Sequence, residues 1–169
     1  MLLAFEVLTV LLAAIAMGLA LAHALEYPGK LRLDEQTYTV VQTIYYPGFT
    51  IGGIAEPLAA IAVLVLLGIL RDQTVQFSCL LVAFLALAAM HAVFWSVTQP
   101  VNRYWLKNQN LSKAGAKFFD TGHINTIDRS GIGEADWKYL RNRWEYSHIV
   151  RTVLSTIAFI AITIVVATR

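Results

Sequence analysis

The chain has 169 residues, 57% of them hydrophobic and 14% charged, with a mean hydropathy of +0.60. A soluble domain of this size has too little interior to hide that much apolar surface, which excludes a water-soluble globule and makes the lipid bilayer the first partner. The net charge of +2 is too weak for a nucleic-acid partner, and the single cysteine, Cys79, excludes an internal disulfide and a paired-thiol redox centre.

In chain order, the first apolar run covers residues 1–25. Ala20-Leu21-Ala22 resembles a signal-peptidase site, but no Lys or Arg precedes the run and Glu6 lies inside it. The run is long enough to span and reads as a retained helix. In the connection that follows, 26–48, the residues Tyr38, Val41 and Tyr45 have roughly helical spacing, although 37–41 fits a strand equally. A second span, 49–70, turns tightly through Arg71–Thr74 into a third, 77–97, so these two are antiparallel neighbours. Pro100 is expected to stop the third helix. The long connection 98–148 contains a short predicted helix at 112–119, ending in two aromatics at the lipid boundary. Beyond it lies an irregular stretch, 120–134, with Gly122, Gly131 and Gly133. Asn110-Leu111-Ser112 matches a glycosylation triplet, a pattern common by chance. Asp136 is a candidate N-cap for a last helix whose membrane span covers 149–168.

The expected fold is all-α: a transmembrane four-helix bundle forming one membrane domain over residues 1–169, with two structured loop-side connections. An even number of spans returns both termini to one side. Eleven of the thirteen Lys and Arg lie on or beside the face that carries the two connections; only Arg71 and Arg169 do not. The positive-inside rule then places a multi-pass protein in the cell membrane with its connections cytoplasmic and its termini outside.

Ionisable groups inside spans are costly and usually face a bundle interior or a cavity. Glu56 and His91 each lie six or seven residues from the loop-side end of their helices, roughly 10 Å deep at 1.5 Å per residue. His23 on the first helix, and His148 and Arg151 on the fourth, lie nearer that same surface. Every helix thus sends polar groups toward one end of the bundle. Arg141, Trp144, His148 and Arg151 are spaced 3, 4 and 3, which makes one stripe on a helix face. Such a stripe gives a donor-rich mouth suited to a carbonyl, phenolate or carboxylate; interfacial anchoring by Trp144 and Arg141 is the competing reading. Glu56, beside Gly52, Gly53 and Pro57, is a candidate general base, or else a partner of His91 or Arg151 that fixes packing. Asn102 sits beyond Pro100 at the same surface, and Trp95 with Phe94 can form an aromatic wall. Glu6, near the opposite surface, reads as snorkelling or paired.

No metal is required by these residues. If one is bound, His23, His91, His148 and Glu56 are the ligand set, and a metal or haem stays open as cofactor. Glu145-Tyr146-Ser147-His148 has the ExxH spacing of di-iron bundles, but in one copy only. His123 has no partner by spacing and reads as solvated.

Thr98-Gln99-Pro100-Val101-Asn102, a polar connection, and Arg143-Trp144 with His148 and Arg151 opening the last apolar helix resemble the anthrone oxygenase-like family of small four-helix membrane proteins. His23 after a small-residue-rich first helix also fits. The resemblance implies oxidation of an anthrone-like or quinol-like aromatic by molecular oxygen without a bound cofactor. On that reading His148 or His91 is the base. Arg151 and Asn102 stabilise the developing oxyanion, and Trp144 and Trp95 wall the substrate. The other readings are a haem-, metal- or quinone-binding membrane protein, or a non-catalytic subunit with an oligomer or complex partner.

Overall fold

The computed structural model describes residues 1–106, 113–118 and 134–168. His123, the glycosylation triplet and the glycine-rich stretch lie outside these residues. Ten helical elements are present among those described: α1 (Leu2–Lys30), α2 (Glu35–Gln42), a 3-10 turn (Thr43–Tyr45), α3 (Gly48–Gly52), α4 (Ala55–Ile69), α5 (Thr74–Val93), a π-helical turn (Phe94–Thr98), α6 (Gln99–Leu106), α7 (Lys113–Phe118) and α8 (Glu134–Ala167). No strand occurs among them, so 35–42 is helical. Asp34 caps α2, its carboxylate accepting from the Thr37 N–H at 2.8 Å.

Four stretches are long and apolar enough to cross a membrane: Leu2–Lys30, Gly48–Ile69, Thr74–Leu106 and Asp136–Ala167. The protein is a multi-pass membrane protein. Its helices form a ring in which α1 packs on α4, α4 on α5, α5 on α8 and α8 on α1. The apolar core is rich in small residues, gathering Ala13, Ala16 and Ala20 of α1 with Ala59, Ala83, Ala158 and Ala161 of the other helices. Lipid offers no hydrophobic drive for helix association, so close backbone approach at small residues supplies the packing. Leucines, isoleucines and valines such as Leu11, Ile61, Leu85 and Ile160 are left exposed on the outer faces.

The helices run further than the apolar runs that announce them. α1 continues to Lys30, where Lys30 Nζ lies 3.0 Å from Glu26, an i,i+4 pair, and 3.5 Å from Glu145 of α8. α8, at 34 residues, is about 51 Å long against a hydrocarbon core of about 30 Å, so it stands well clear of the membrane. It begins at Glu134, which puts Asp136 inside the first turn instead of at its cap, where an acidic group also suits the helix dipole.

Pro100 does not end the third span. The helix passes through it after a single π-turn closed by the Gln99 N–H on the Phe94 carbonyl. Proline lacks the N–H that would bond the Ser96 carbonyl four residues back; Arg143 Nη2 donates to that carbonyl instead, at 3.2 Å. The continuation carries α6 out of the membrane to join a second, aromatic core of Tyr38, Tyr45, Val101, Trp105, Trp137 and Trp144. This cap roofs the loop-side end of the bundle. Glu6 is buried on α1 and so does not snorkel.

Candidate functional site

Beneath the cap lies a cavity of about 380 Å³, within the usual range for small-molecule sites of about 300–1,000 Å³. His23, Glu56, His91, Trp95, Asn102, Trp144, His148 and Arg151 all line it. Four helices therefore deliver to one space the polar groups that their depth in the sequence had suggested.

Glu56 sits in the first turn of α4, just beyond the junction at Gly53, and is 4% exposed. Both of its oxygens are engaged. Oε2 accepts from Arg151 Nη2 at 2.7 Å, and Oε1 lies 3.0 Å from His91 Nδ1. A carboxylate facing an imidazole nitrogen places the ring proton there, so Nε2 of His91 carries the lone pair. That nitrogen accepts from the Trp95 indole N–H at 2.9 Å. Arg151, Glu56, His91 and Trp95 thus form one chain of hydrogen bonds running from the buried face of α8 to the lipid-facing edge of the cavity, where Trp95 is 49% exposed.

A second pair lies deeper in the wall. His148 and His23 are both 4% exposed, with ring centroids 4.1 Å apart. Arg151 Nη1 lies 3.3 Å from His148 Nδ1. Guanidinium can only donate, so Nδ1 is the acceptor and the His148 proton sits on Nε2, a buried donor without a partner among the described residues. His23 is enclosed by Tyr45, Phe49 and Trp144, with centroids 4.4, 4.7 and 4.9 Å away. Its Nδ1 is 4.0 Å from Glu26. Trp144 is 3% exposed, which makes it a wall of the cavity and no membrane-surface anchor; its indole donates to Asn102 Oδ1 at 2.8 Å. Asn102 in turn donates weakly to Gln99 Oε1, at 3.4 Å.

Glu145, of the ExxH pattern, is fully buried but faces the cap. Its Oε1 accepts from the Tyr38 hydroxyl at 2.8 Å and lies 3.5 Å from Lys30 Nζ. Glu26 accepts from Tyr45, and Lys30 stands over the Tyr45 and Trp144 rings at 4.7 and 4.9 Å. Burial, and then the charge of Glu145, pushes the Tyr38 phenol well above its usual range; burial and the bond to Glu26 do the same for Tyr45. This network stiffens the wall behind Trp144. Among the described residues no group of three or more His, Cys, Asp and Glu is arranged to hold a metal ion.

Sequence spacing alone did not mark Gln42, Phe49, Thr98 or Trp105, which also line the cavity. The only signal for Trp105 was its helical register with Val101 and Asn102, which becomes readable once α6 is known to continue past Pro100.

A four-helix membrane bundle with a capped, aromatic-walled cavity and a carboxylate–histidine pair at its edge defines a class of small multi-pass membrane proteins with an internal cavity. The anthrone oxygenase family matches residues 42–161, well over half of the chain, and the chain belongs to that family. The matched region holds every cavity residue named above except those of α1, including His23. No curated protein and no solved structure matches the chain.

Proposed function

We propose that the protein is a membrane oxygenase that oxidises an anthrone-like or quinol-like polycyclic aromatic in this cavity. The observation that carries the reading is the Arg151–Glu56–His91 chain. It fixes one imidazole of the cavity lining by its Nδ1–H and leaves the Nε2 lone pair on the Trp95 indole, a partner that a ligand can displace. Family membership supports the reaction class.

In the proposed reaction the substrate displaces the Trp95 indole from His91 Nε2, which removes a proton from the activated ring carbon. The electron pair left behind delocalises into the ring carbonyl, whose developing oxyanion accepts from His148 Nε2–H. The carbanion gives electrons to molecular oxygen and forms a C–O bond, and the protonated His91 returns its proton to the resulting peroxide. Loss of the second C–H proton to His91, with cleavage of the O–O bond, leaves a ring carbonyl; the departing hydroxide takes that proton as water. One anthrone and one oxygen molecule give one quinone and one water. Glu56 faces the imidazolium during both proton transfers, and Arg151 anchors Glu56 while fixing the His148 tautomer. Trp144, Asn102 and His23 shape the wall.

The bilayer is the source of substrate and oxygen in this reading. Ile51 and Ile54 line the cavity while exposed on the lipid side, as Trp95 and Phe118 do. The excess of Lys and Arg near the capped end supports a cytoplasmic cap in the cell membrane, with both termini outside.

The test is oxygen uptake and quinone formation from anthrone by the detergent-purified protein, measured above the spontaneous rate. His91→Ala is expected to lower kcat by about 10²–10⁴-fold, the usual contribution of a positioned base. Unchanged turnover would remove His91 from the chemistry.

A further inference from the structure

The proposed proton transfer requires the Trp95 indole to leave His91 Nε2, so whatever holds that ring decides how often the base is free. Trp95 is itself half-exposed, and two aromatic neighbours steady it: Phe94 at 5.3 Å and Phe118 at 5.8 Å between ring centroids. Phe94 belongs to the same π-turn and is covered by the Arg151 guanidinium at 5.2 Å. Phe118 comes from a separate element, α7.

A helix of six residues has too few internal bonds to hold its own place, so contacts from outside fix α7. Gly115 lies so close to Tyr46 that a Cβ there would come within 2.5 Å of the phenol oxygen. The carbonyls of a last helical turn need partners from outside it, and the Phe118 carbonyl accepts from Gln99 Nε2 at 2.8 Å. Gln99 is 2% exposed, and both ends of its amide are engaged: Asn102 donates to Oε1 at 3.4 Å, which leaves Nε2 turned toward Phe118. Its backbone N–H closes the π-turn on the Phe94 carbonyl. One residue thus grips both the turn that carries Trp95 and the helix that carries the ring against it.

We infer that Gln99 is a positioning residue for the base: by seating Phe118 against Trp95, it sets how readily the indole gives up His91 Nε2 to an incoming ligand. The inference rests on the reading of His91 as the base and adds to it the contact that keeps the base covered at rest. Phe118 and Trp95 both line the cavity while half-exposed, so they are also the part of the wall that an aromatic arriving from the bilayer must move aside. Gln99 stands behind that wall and acts through Phe118.

The test is acylation of the full chain in detergent by diethyl pyrocarbonate, which attacks through a free imidazole lone pair, with the rate at each histidine read by peptide mass spectrometry. Trp95→Phe deletes the N–H on His91 Nε2 and should speed labelling at His91 about tenfold, the step that one good hydrogen bond supplies. Gln99→Leu should speed it about threefold or more, and Phe118→Ala, at a ring that fills no core, should match it. The double variant should label no faster than Phe118→Ala alone, because both changes act through one contact. His23 and His148, each 4% exposed, should keep the parent rate throughout. Gln99→Glu, which keeps the size and loses the donor, gives the same reading if the leucine variant does not fold. Parent-rate labelling of His91 in the Gln99 or Phe118 variants, a parallel rise at His23 and His148, or additive effects in the double variant would overturn the inference. Failure of the oxygenase reading looks different: no oxygen uptake with anthrone, while the labelling pattern persists.

Discussion

Arg151 Nη2 and Glu56 Oε2 lie 2.7 Å apart although 95 residues separate them, and they tie together α8 and α4, two helices that are not neighbours in the ring. Both side chains are nearly fully buried. Removing one partner leaves the other charge buried and unpaired, which costs about 3–5 kcal/mol; removing both together often costs little. Glu56→Gln and Arg151→Met should each lower the thermal unfolding temperature in detergent substantially, and the double variant should recover much of the loss. Additive losses would mean that the two groups are not coupled.

Trp95 donates to the His91 nitrogen that serves as base in the proposed reaction. Trp95→Phe keeps an aromatic wall but frees His91 Nε2 in the resting state. With anthrone as substrate, kcat is expected to hold or rise, while KM rises through the looser edge of the cavity. A fall in kcat comparable to that of His91→Ala would show that the indole N–H takes part in the reaction rather than guarding the base.

The bundle and the meeting of Glu56 with His91 were legible because both depend on local counting. Apolar run length gives the span, and distance from the run's end gives depth. The stripe Arg141, Trp144, His148 and Arg151 was legible from helical periodicity for the same reason, although Arg141 lies over the Trp137 ring and does not line the cavity. What failed was long-range compensation. Pro100 stops a helix only if nothing replaces its missing N–H, and Arg143, far along the chain, supplies the donor to Ser96. The cap network was equally hidden: nothing in the spacing pairs Lys30 with Glu145 until α1 and α8 are laid side by side. Gln42 and Trp105 could not be found from spacing, since only tertiary packing decides which face of α2 and α6 turns toward the cavity.

Tyr38 and Tyr45 should give the protein an alkaline limit. Both phenols are held above their usual range by burial first and by a neighbouring carboxylate next. A raised phenol contributes stability that is complete below the unfolded value of about 10 and is lost as pH rises through the folded value. Thermal stability in detergent should therefore fall above about pH 10. Tyr38→Phe should cost about 1–3 kcal/mol at neutral pH, because Glu145 loses a donor in a buried setting, and should flatten the alkaline decline. A variant as stable as the parent at neutral pH would show that the Tyr38–Glu145 bond contributes nothing.

Arg143 and Pro100 form a compensating pair that can be taken apart. Arg143→Met removes the donor from the Ser96 carbonyl and should cost about 1 kcal/mol, with faster amide exchange around the π-turn that carries Trp95. Pro100→Ala restores a backbone N–H within reach of the same carbonyl. Placed on top of Arg143→Met, it should recover stability and slow the exchange again, because the helix then closes its own bond. If the second change brings no recovery, the guanidinium holds α8 against the π-turn in some other way, and the passage of the helix through Pro100 has a different cause.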